Sequence, residues 1–219
     1  MIGLIRVLTT EDEQVLQAHA RTIEPLVRDR IVTRAIPDQP HGIYDDASLA
    51  VAEPKIIETA QWLVQDGATA IIVSCAADPA VSALREMLPV PVIGAGSSGA
   101  AIGRSLADKV GVLGITDEVP SCITDLLGDT LVGARVPEGV HQTTDLMTPE
   151  GAQAALRAAQ QLVNDGAQCI LFACTGLTTV GLAGPITQTT GVPVIDAVLA
   201  AGHAAAYPLT SPRRTHGNP

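Results

Sequence analysis

Two cysteines, Cys75 and Cys174, stand in matched surroundings in a chain of 219 residues. The segment from Ala60 reads AQWLVQDGATAIIVSCAADP, and the segment from Ala159 reads AQQLVNDGAQCILFACTGLT. They align without a gap: Ala60 with Ala159, Gln61 with Gln160, Leu63 with Leu162, Asp66 with Asp165, Gly67 with Gly166 and Cys75 with Cys174 share one offset. A thiol with an ordinary pKa of about 8.5 can serve as acid or, once ionised, as base, and a helix amino terminus lowers that value toward neutrality. Two thiols on opposite sides of one carbon can invert it. One sulfur removes the α-proton of a small carbonyl compound while the other donates to the opposite face.

The surrounding pattern says how such thiols are positioned. In both copies an amphipathic helix stopped by Gly67 or Gly166 leads into an apolar run, Ala70 to Val73 or Ile170 to Ala173, suited to a buried parallel strand. Each cysteine therefore falls at the carboxyl end of a strand, where ligands bind in open α/β sheets. Val-Pro-Val-Ile follows each cysteine, at Val90 to Ile93 and at Val192 to Ile195, as the next strand. Backbone N–H groups near Ala76, Ala77, Thr175 and Gly176 are candidate donors to the oxygen on which carbanion charge would spread.

Outside the repeat the alternation continues. Gly3 to Leu8 reads as a strand; Thr10 with Glu13 forms a capping box for a helix to about Val27; Ile31 to Ile36 is a second strand and Pro37 to Tyr44 a polar loop. Asp45 to Gln65 reads as a helix broken near Pro54. Val110 to Gly114 opens the second half, Pro120 suits a first helical turn, and Thr148-Pro149-Glu150 begins the long helix that ends at Gly166. The reading is two similar doubly wound, flavodoxin-like parallel-sheet domains related by duplication, with the active site between them. Residues 1–97 plus 197–207 form the first, 98–196 the second, and 208–219 a disordered tail.

Composition excludes several functions. A net charge of -10 disfavours nucleic acid and anionic membranes, which bind through clustered Lys and Arg. Met1 to Thr10 carries Arg6 in its middle and reads as a buried strand, not a signal peptide. Gly166 to Ile195 is free of charge, but Pro185, Pro193 and five glycines interrupt it, so it does not read as a membrane span. The expected setting is a reducing cytoplasm with thiols free, and the expected partners are a small-molecule substrate and further copies of the chain in a homo-oligomer.

The remaining candidates resolve simply. Cys169 starts its strand, about 16 Å of extended chain from Cys174, too far for a shared metal, and reads as core. Cys122, early in a helix, reads as structural. The five histidines show no metal-ligand spacing, so no metal is expected; His41, before Tyr44, is the one placed to line a pocket. Thr9, Thr10, Ser97 and Ser98 suit helix caps, with ligand contact compatible. Ile43 and Thr116 join Thr9, Thr10, Ala76, Ala77, Thr175 and Gly176 as expected substrate-binding residues. GAGSSGAA has dinucleotide-loop spacing at Gly94, Gly96 and Gly99, but no convincing acidic residue on a following strand.

SCAADPAV followed by VPVIGAGSSGAA resembles the first cysteine motif of the hydantoin racemases within the aspartate/glutamate racemase superfamily, and ACTGLTTVG resembles the second. The resemblance extends over nearly the whole chain, including PHGIYDDASLA. It implies a two-domain fold, cofactor independence and catalytic roles for Cys75 and Cys174. The chain departs from the group's pattern at Thr9-Thr10-Glu11, where an Asn-Pro-Asn turn is common, at Ala76-Ala77 in place of Phe-Gly, and at Ser97-Ser98 in place of Glu-Ala. The motif loops hold no Arg or Lys to clamp a carboxylate, which favours a neutral ring such as a 5-substituted hydantoin or allantoin. An amino-dicarboxylate racemase, a single-thiol isomerase or decarboxylase, and a non-catalytic binding protein are the alternatives.

Overall fold

The computed structural model describes residues 1–209. Two four-stranded parallel sheets are built in the same order. In the first, β2 (Ile31–Ala35), β1 (Ile2–Arg6), β3 (Ala70–Ser74) and β4 (Val92–Gly94) lie side by side; in the second, β6 (Leu131–Arg135), β5 (Val110–Leu113), β7 (Cys169–Phe172) and β8 (Val194–Ile195) repeat that arrangement. Ile2 of β1 pairs with Ala70 of β3, and Val110 of β5 pairs with Cys169 of β7. The duplication read from sequence is thus a duplication of topology.

Both faces of each sheet are covered, which is why the central strands are apolar except at the carboxyl ends of β1 and β3, Arg6 and Ser74. In the first half Ile5, Val7, Ile71 and Val73 pack beneath α2 (Asp46–Gln65) and α3 (Val81–Met87). On the opposite face Ile2, Leu4, Ala70 and Ile72 meet α1 (Glu13–Ile23) and α9 (Ala197–Leu209). In the second half α6 (Pro149–Asn164) and α8 (Ala183–Thr190) cover one face, and α4 (Ala95–Leu106) and α5 (Ser121–Leu127) the other. Gly67 (φ 91°) and Gly166 (φ 100°) end α2 and α6 in the left-handed region, where a side chain would be strained. In both, the glycine N–H and the one after it close the last turn, onto Val64 and Leu63 or Val163 and Leu162.

Some local expectations differ from the structure. Asp12, not Thr10, caps α1: its carboxylate accepts from the Gln14 and Val15 N–H groups at 2.8 and 3.3 Å, while Thr10 accepts from the Asp12 N–H. A carboxylate at that end also meets the positive pole of the helix. Helix α1 stops at Ile23 because Pro25 follows, in a 3-10 turn over Glu24–Leu26. Helix α2 runs unbroken through Pro54, since Ala52, Ile56, Ala60 and Leu63 on either side stay buried against the sheet. Ser97, at the expected join between halves, lies inside α4, and α9 packs on α1, β3 and β4 as well as on α4. Of the tail read as disordered, Pro208 and Leu209 fall within α9; positions from 210 onward lie outside the described residues. No helix among the described residues is long and apolar enough to cross a membrane.

Candidate active site

The carboxyl ends of β1 and β3 in one sheet and of β7 in the other open onto one cleft, lined by Cys75, Cys174 and the residues beside each of them, Ser74, Ala76, Ala173 and Thr175. The space between these walls is tight, a cavity of about 60 Å³ that is well below the ~300–1,000 Å³ of typical small-molecule sites. Both sulfur-bearing residues are 7 % exposed, so each thiol can meet a ligand while bulk water is largely excluded.

Cys75 directly follows the last residue of β3. The loop after it is held by two left-handed residues, Asp78 (φ 51°) and Ala80 (φ 58°), and by the Asp78 N–H donating to the Cys75 carbonyl at 3.1 Å. The Asp78 carboxylate turns onto the start of α4, accepting from the Gly96 N–H at 2.7 Å and the Ser97 N–H at 2.9 Å. The helix terminus that a dinucleotide phosphate would need is therefore already occupied by a carboxylate. Gly96 is required by close approach, because a Cβ there would sit 1.9 Å from the Ala76 carbonyl oxygen. The Cys122 thiol donates to that same carbonyl at 3.4 Å, which places Cys122 behind the Cys75 loop. Burial pushes the Cys75 thiol up to about 12; the Ala77 N–H opposes this, and the negative surroundings of Cys174, Asp78 and Cys122 add to it.

Cys174 has different neighbours. Burial raises its pKa as well, but the Gly176 N–H, the Thr143 hydroxyl, the Leu177 N–H and the Arg6 guanidinium all favour its thiolate. Strand alternation places Arg6 on the same face of β1 as Ile2 and Leu4, under α1 and the short helix α7 (Gly176–Thr179). Its Nη2 donates to the Thr179 hydroxyl at 3.2 Å, and its buried Nη1 has no acceptor among the described residues. Burial brings the guanidinium down to about 10, with Cys174 opposing, so it stays cationic at neutral pH.

Sequence reasoning missed Arg6 and His19. His19, on α1, is 1 % exposed and spans both halves: the Ser74 hydroxyl lies 2.7 Å from Nδ1, and the Thr175 carbonyl 2.9 Å from Nε2. A carbonyl only accepts, so Nε2 carries the proton and Ser74 donates to Nδ1. Burial, then the charge of Arg6, holds its pKa well below the ordinary value, against the Thr175 carbonyl; the ring is neutral. The signal for Arg6 was present in its position, as a charge in a strand that is otherwise wholly apolar. For His19 no such signal existed, because its partners arise from two distant strand ends.

Of the residues expected to bind substrate, Ile43, Ala76, Ala77, Thr116, Thr175 and Gly176 line the cleft with the two cysteines. Thr9 and Thr10 are not among its lining residues. The Thr9 hydroxyl instead ties two loops together, donating to the Ile36 carbonyl at 2.6 Å and accepting from the Gln39 N–H at 2.8 Å. His41 is exposed and outside the lining, since Gly42 turns the loop so that Ile43 points inward instead. The Ser98 hydroxyl bonds back to the Gly94 carbonyl within α4. Cys169 is fully buried core. Among the described residues no group of three or more His, Cys, Asp or Glu is arranged to hold a metal ion.

The cleft opens into a wider mouth that shares Ile43, Ala77, Ile115, Thr116 and Pro120 with it. Asp45, Asp46, Asp117, Glu118 and Glu138 line that mouth, with no Lys or Arg among its lining residues. Its field opposes the approach of anions.

Comparison with known proteins matches residues 2–205 to the family described as Asp/Glu/Hydantoin racemase. A hydantoin racemase of Pseudomonas sp. (strain NS671) is 28 % identical over 165 residues, covering 72 % of this chain and 64 % of that enzyme. The match thus spans under two thirds of that relative's own length. The solved allantoin racemase of Pseudomonas fluorescens superposes with a TM-score of 0.80 at 25 % identity, covering 100 % of this chain and 96 % of that one. That of Klebsiella pneumoniae gives 0.81 at 20 % identity, covering 99 % and 91 %, a likeness of fold.

Proposed function

The chain belongs to the Asp/Glu/hydantoin racemase family, and from that premise we propose that it is an isomerase inverting the α-carbon of a 5-substituted hydantoin or allantoin, by proton transfer between Cys75 and Cys174 without a cofactor. The observation that carries the reading is the convergence of these two buried thiols, each just beyond a strand end, on one cleft. A substrate carbon between them would lose its proton to one sulfur and gain one from the other. Such positioned acid–base catalysis is worth roughly 10²–10⁴-fold per group. Donors beside the sulfurs, at Ala77, Gly176 and Thr143, are placed to stabilise charge as it moves.

A neutral ring suits the acidic mouth better than a dicarboxylate, whose two charges would be repelled by five carboxylate side chains. One observation favours the dicarboxylate reading, the Arg6 guanidinium in the cleft wall. Strong competitive inhibition by simple diacids would support that alternative; a hydantoin enzyme resists them.

The test is proton NMR in deuterated buffer with enantiopure hydantoins, allantoin, aspartate and glutamate. Wild type exchanges and racemises the hydantoin or allantoin class, and Cys75→Ser and Cys174→Ser each lose racemisation. Absence of exchange across the panel, or racemisation that survives in either variant, overturns the two-thiol proposal.

A further inference from the structure

The two thiols occupy the same place in the two repeats, yet their electrostatic surroundings are opposite. Beside Cys75 stands a carboxylate, Asp78, whose own ionisation is opposed first by burial and favoured by Ser97, Gly96 and Arg85. Beside Cys174 stands a cation, Arg6, 3 % exposed and in no ion pair with a carboxylate among the described residues. One of its two terminal nitrogens is anchored by Thr179, and the other is buried without an acceptor. A buried cation with an unused donor is costly unless an anion completes it. Both Arg6 and Cys174 line the cleft, and each acts on the other's charge.

We propose that Arg6 is the counter-ion of the Cys174 thiolate, so that Cys174 is the thiol that ionises first and serves as base, with Cys75 as acid. Calling them base and acid rests on the two-thiol reading above; the charge pairing itself does not. Arg6 acts through the sulfur and is in that sense a positioning residue. The duplication supplied two equivalent thiols, and a single arginine on β1, absent from the corresponding strand Val110–Leu113, makes them unequal.

Among the described residues that line the cleft, Arg6 is the single Lys or Arg. His19 on α1 is neutral and committed to Ser74 and Thr175. Cys75, across the cleft, would be negative if ionised and therefore opposes a second thiolate. Asp145, in the 3-10 turn Thr143–Met147 that packs on α7, directs its carboxylate to the His141 and Gln142 N–H groups. Asp196, which follows β8, is engaged by the Thr178 hydroxyl and the Val198 and Leu199 N–H groups. Neither carboxylate pairs with Arg6 among the described residues.

The experiment is a pH titration of the full chain carrying [β-¹³C]cysteine, whose carbon shift reports ionisation of each thiol separately; single Cys→Ser variants assign the four signals. The expected result is that Cys174 ionises at lower pH than Cys75. Arg6→Met moves the Cys174 midpoint up by about one pH unit or more, the size expected for loss of an adjacent opposite charge, and moves Cys75 less. Arg6→Lys retains most of the effect. If Arg6→Met does not fold, Arg6→Gln, which keeps a donor on that side chain without the charge, is titrated in its place and carries the same expectation for the Cys174 midpoint. Cys75 ionising first, or an unchanged Cys174 midpoint in folded Arg6→Met, overturns the pairing. So does a variant that loses affinity for anionic inhibitors while its Cys174 titration stays put, because Arg6 would then serve the substrate. The readout needs no turnover, so failure of the racemase proposal and failure of this pairing are separately visible.

Discussion

The Thr175 hydroxyl donates to the Ser74 carbonyl at 3.2 Å, joining the residue before one cysteine to the residue after the other. His19 closes the same link from the opposite side, with the Ser74 hydroxyl on Nδ1 and the Thr175 carbonyl on Nε2. The spacing of the two thiols is therefore held by buried polar bonds that cross between the halves, as well as by the apolar layers of each half.

His19→Ala is expected to leave the Ser74 hydroxyl without its buried acceptor and to open a void, while the Thr175 carbonyl keeps the Thr179 N–H and hydroxyl. Stability should fall by about 2–4 kcal/mol, the combined scale of an unsatisfied polar group and a core truncation. Urea unfolding followed by circular dichroism measures it. A loss under about 1 kcal/mol would mean that the link carries little of the fold.

His19 also predicts a pH dependence. Its folded-state pKa lies well below the ordinary 6.5, chiefly through burial, so the unfolded chain takes up a proton that the folded chain refuses. The stability associated with this group is fully present above the unfolded pKa and is lost as pH falls below it, with a slope of up to ~1.4 kcal/mol per pH unit. Unfolding free energies of wild type and His19→Gln, compared from about pH 7.5 to about pH 5.5, should diverge in slope. Parallel slopes would show that the ring takes its proton in the folded state.

The two repeats should respond alike where their backbones are alike. Gly67→Ala and Gly166→Ala each place a side chain in the left-handed region, at about 1–2 kcal/mol apiece. Being in separate halves, they should add to within about 0.5 kcal/mol in the double variant, measured by the same unfolding experiment.

The acidic mouth should govern which ligands reach the cleft. Asp117→Lys with Glu118→Lys is expected to strengthen inhibition by simple dicarboxylates, with the gain shrinking as salt is added, and to leave turnover of a neutral ring nearly unchanged. Inhibition constants at low and high ionic strength test this. Equal strengthening at both would point to direct contact and not to the field of the mouth.

Much of this molecule was legible in one chain of letters. The repeat, the glycine stops at Gly67 and Gly166, the apolar runs before Cys75 and Cys174 and the fold they specify all rest on contacts near in sequence, or on a period that local chemistry imposes. Two errors in helix reading, at Thr10 and Pro54, were local as well: a better cap two residues on and a buried face on either side of the proline outweighed the motifs. Tertiary structure alone decided which distant groups surround the Cys174 thiol; Ala77 and Asp78 beside Cys75, and Gly176 and Leu177 beside Cys174, are neighbours in sequence. Arg6, His19, Thr143 and Thr179 come from separate elements and meet only when the two sheets are placed side by side. Charge acts through space and not along the chain, so two cysteines that are equivalent in the repeat become a pair with opposite electrostatic neighbours.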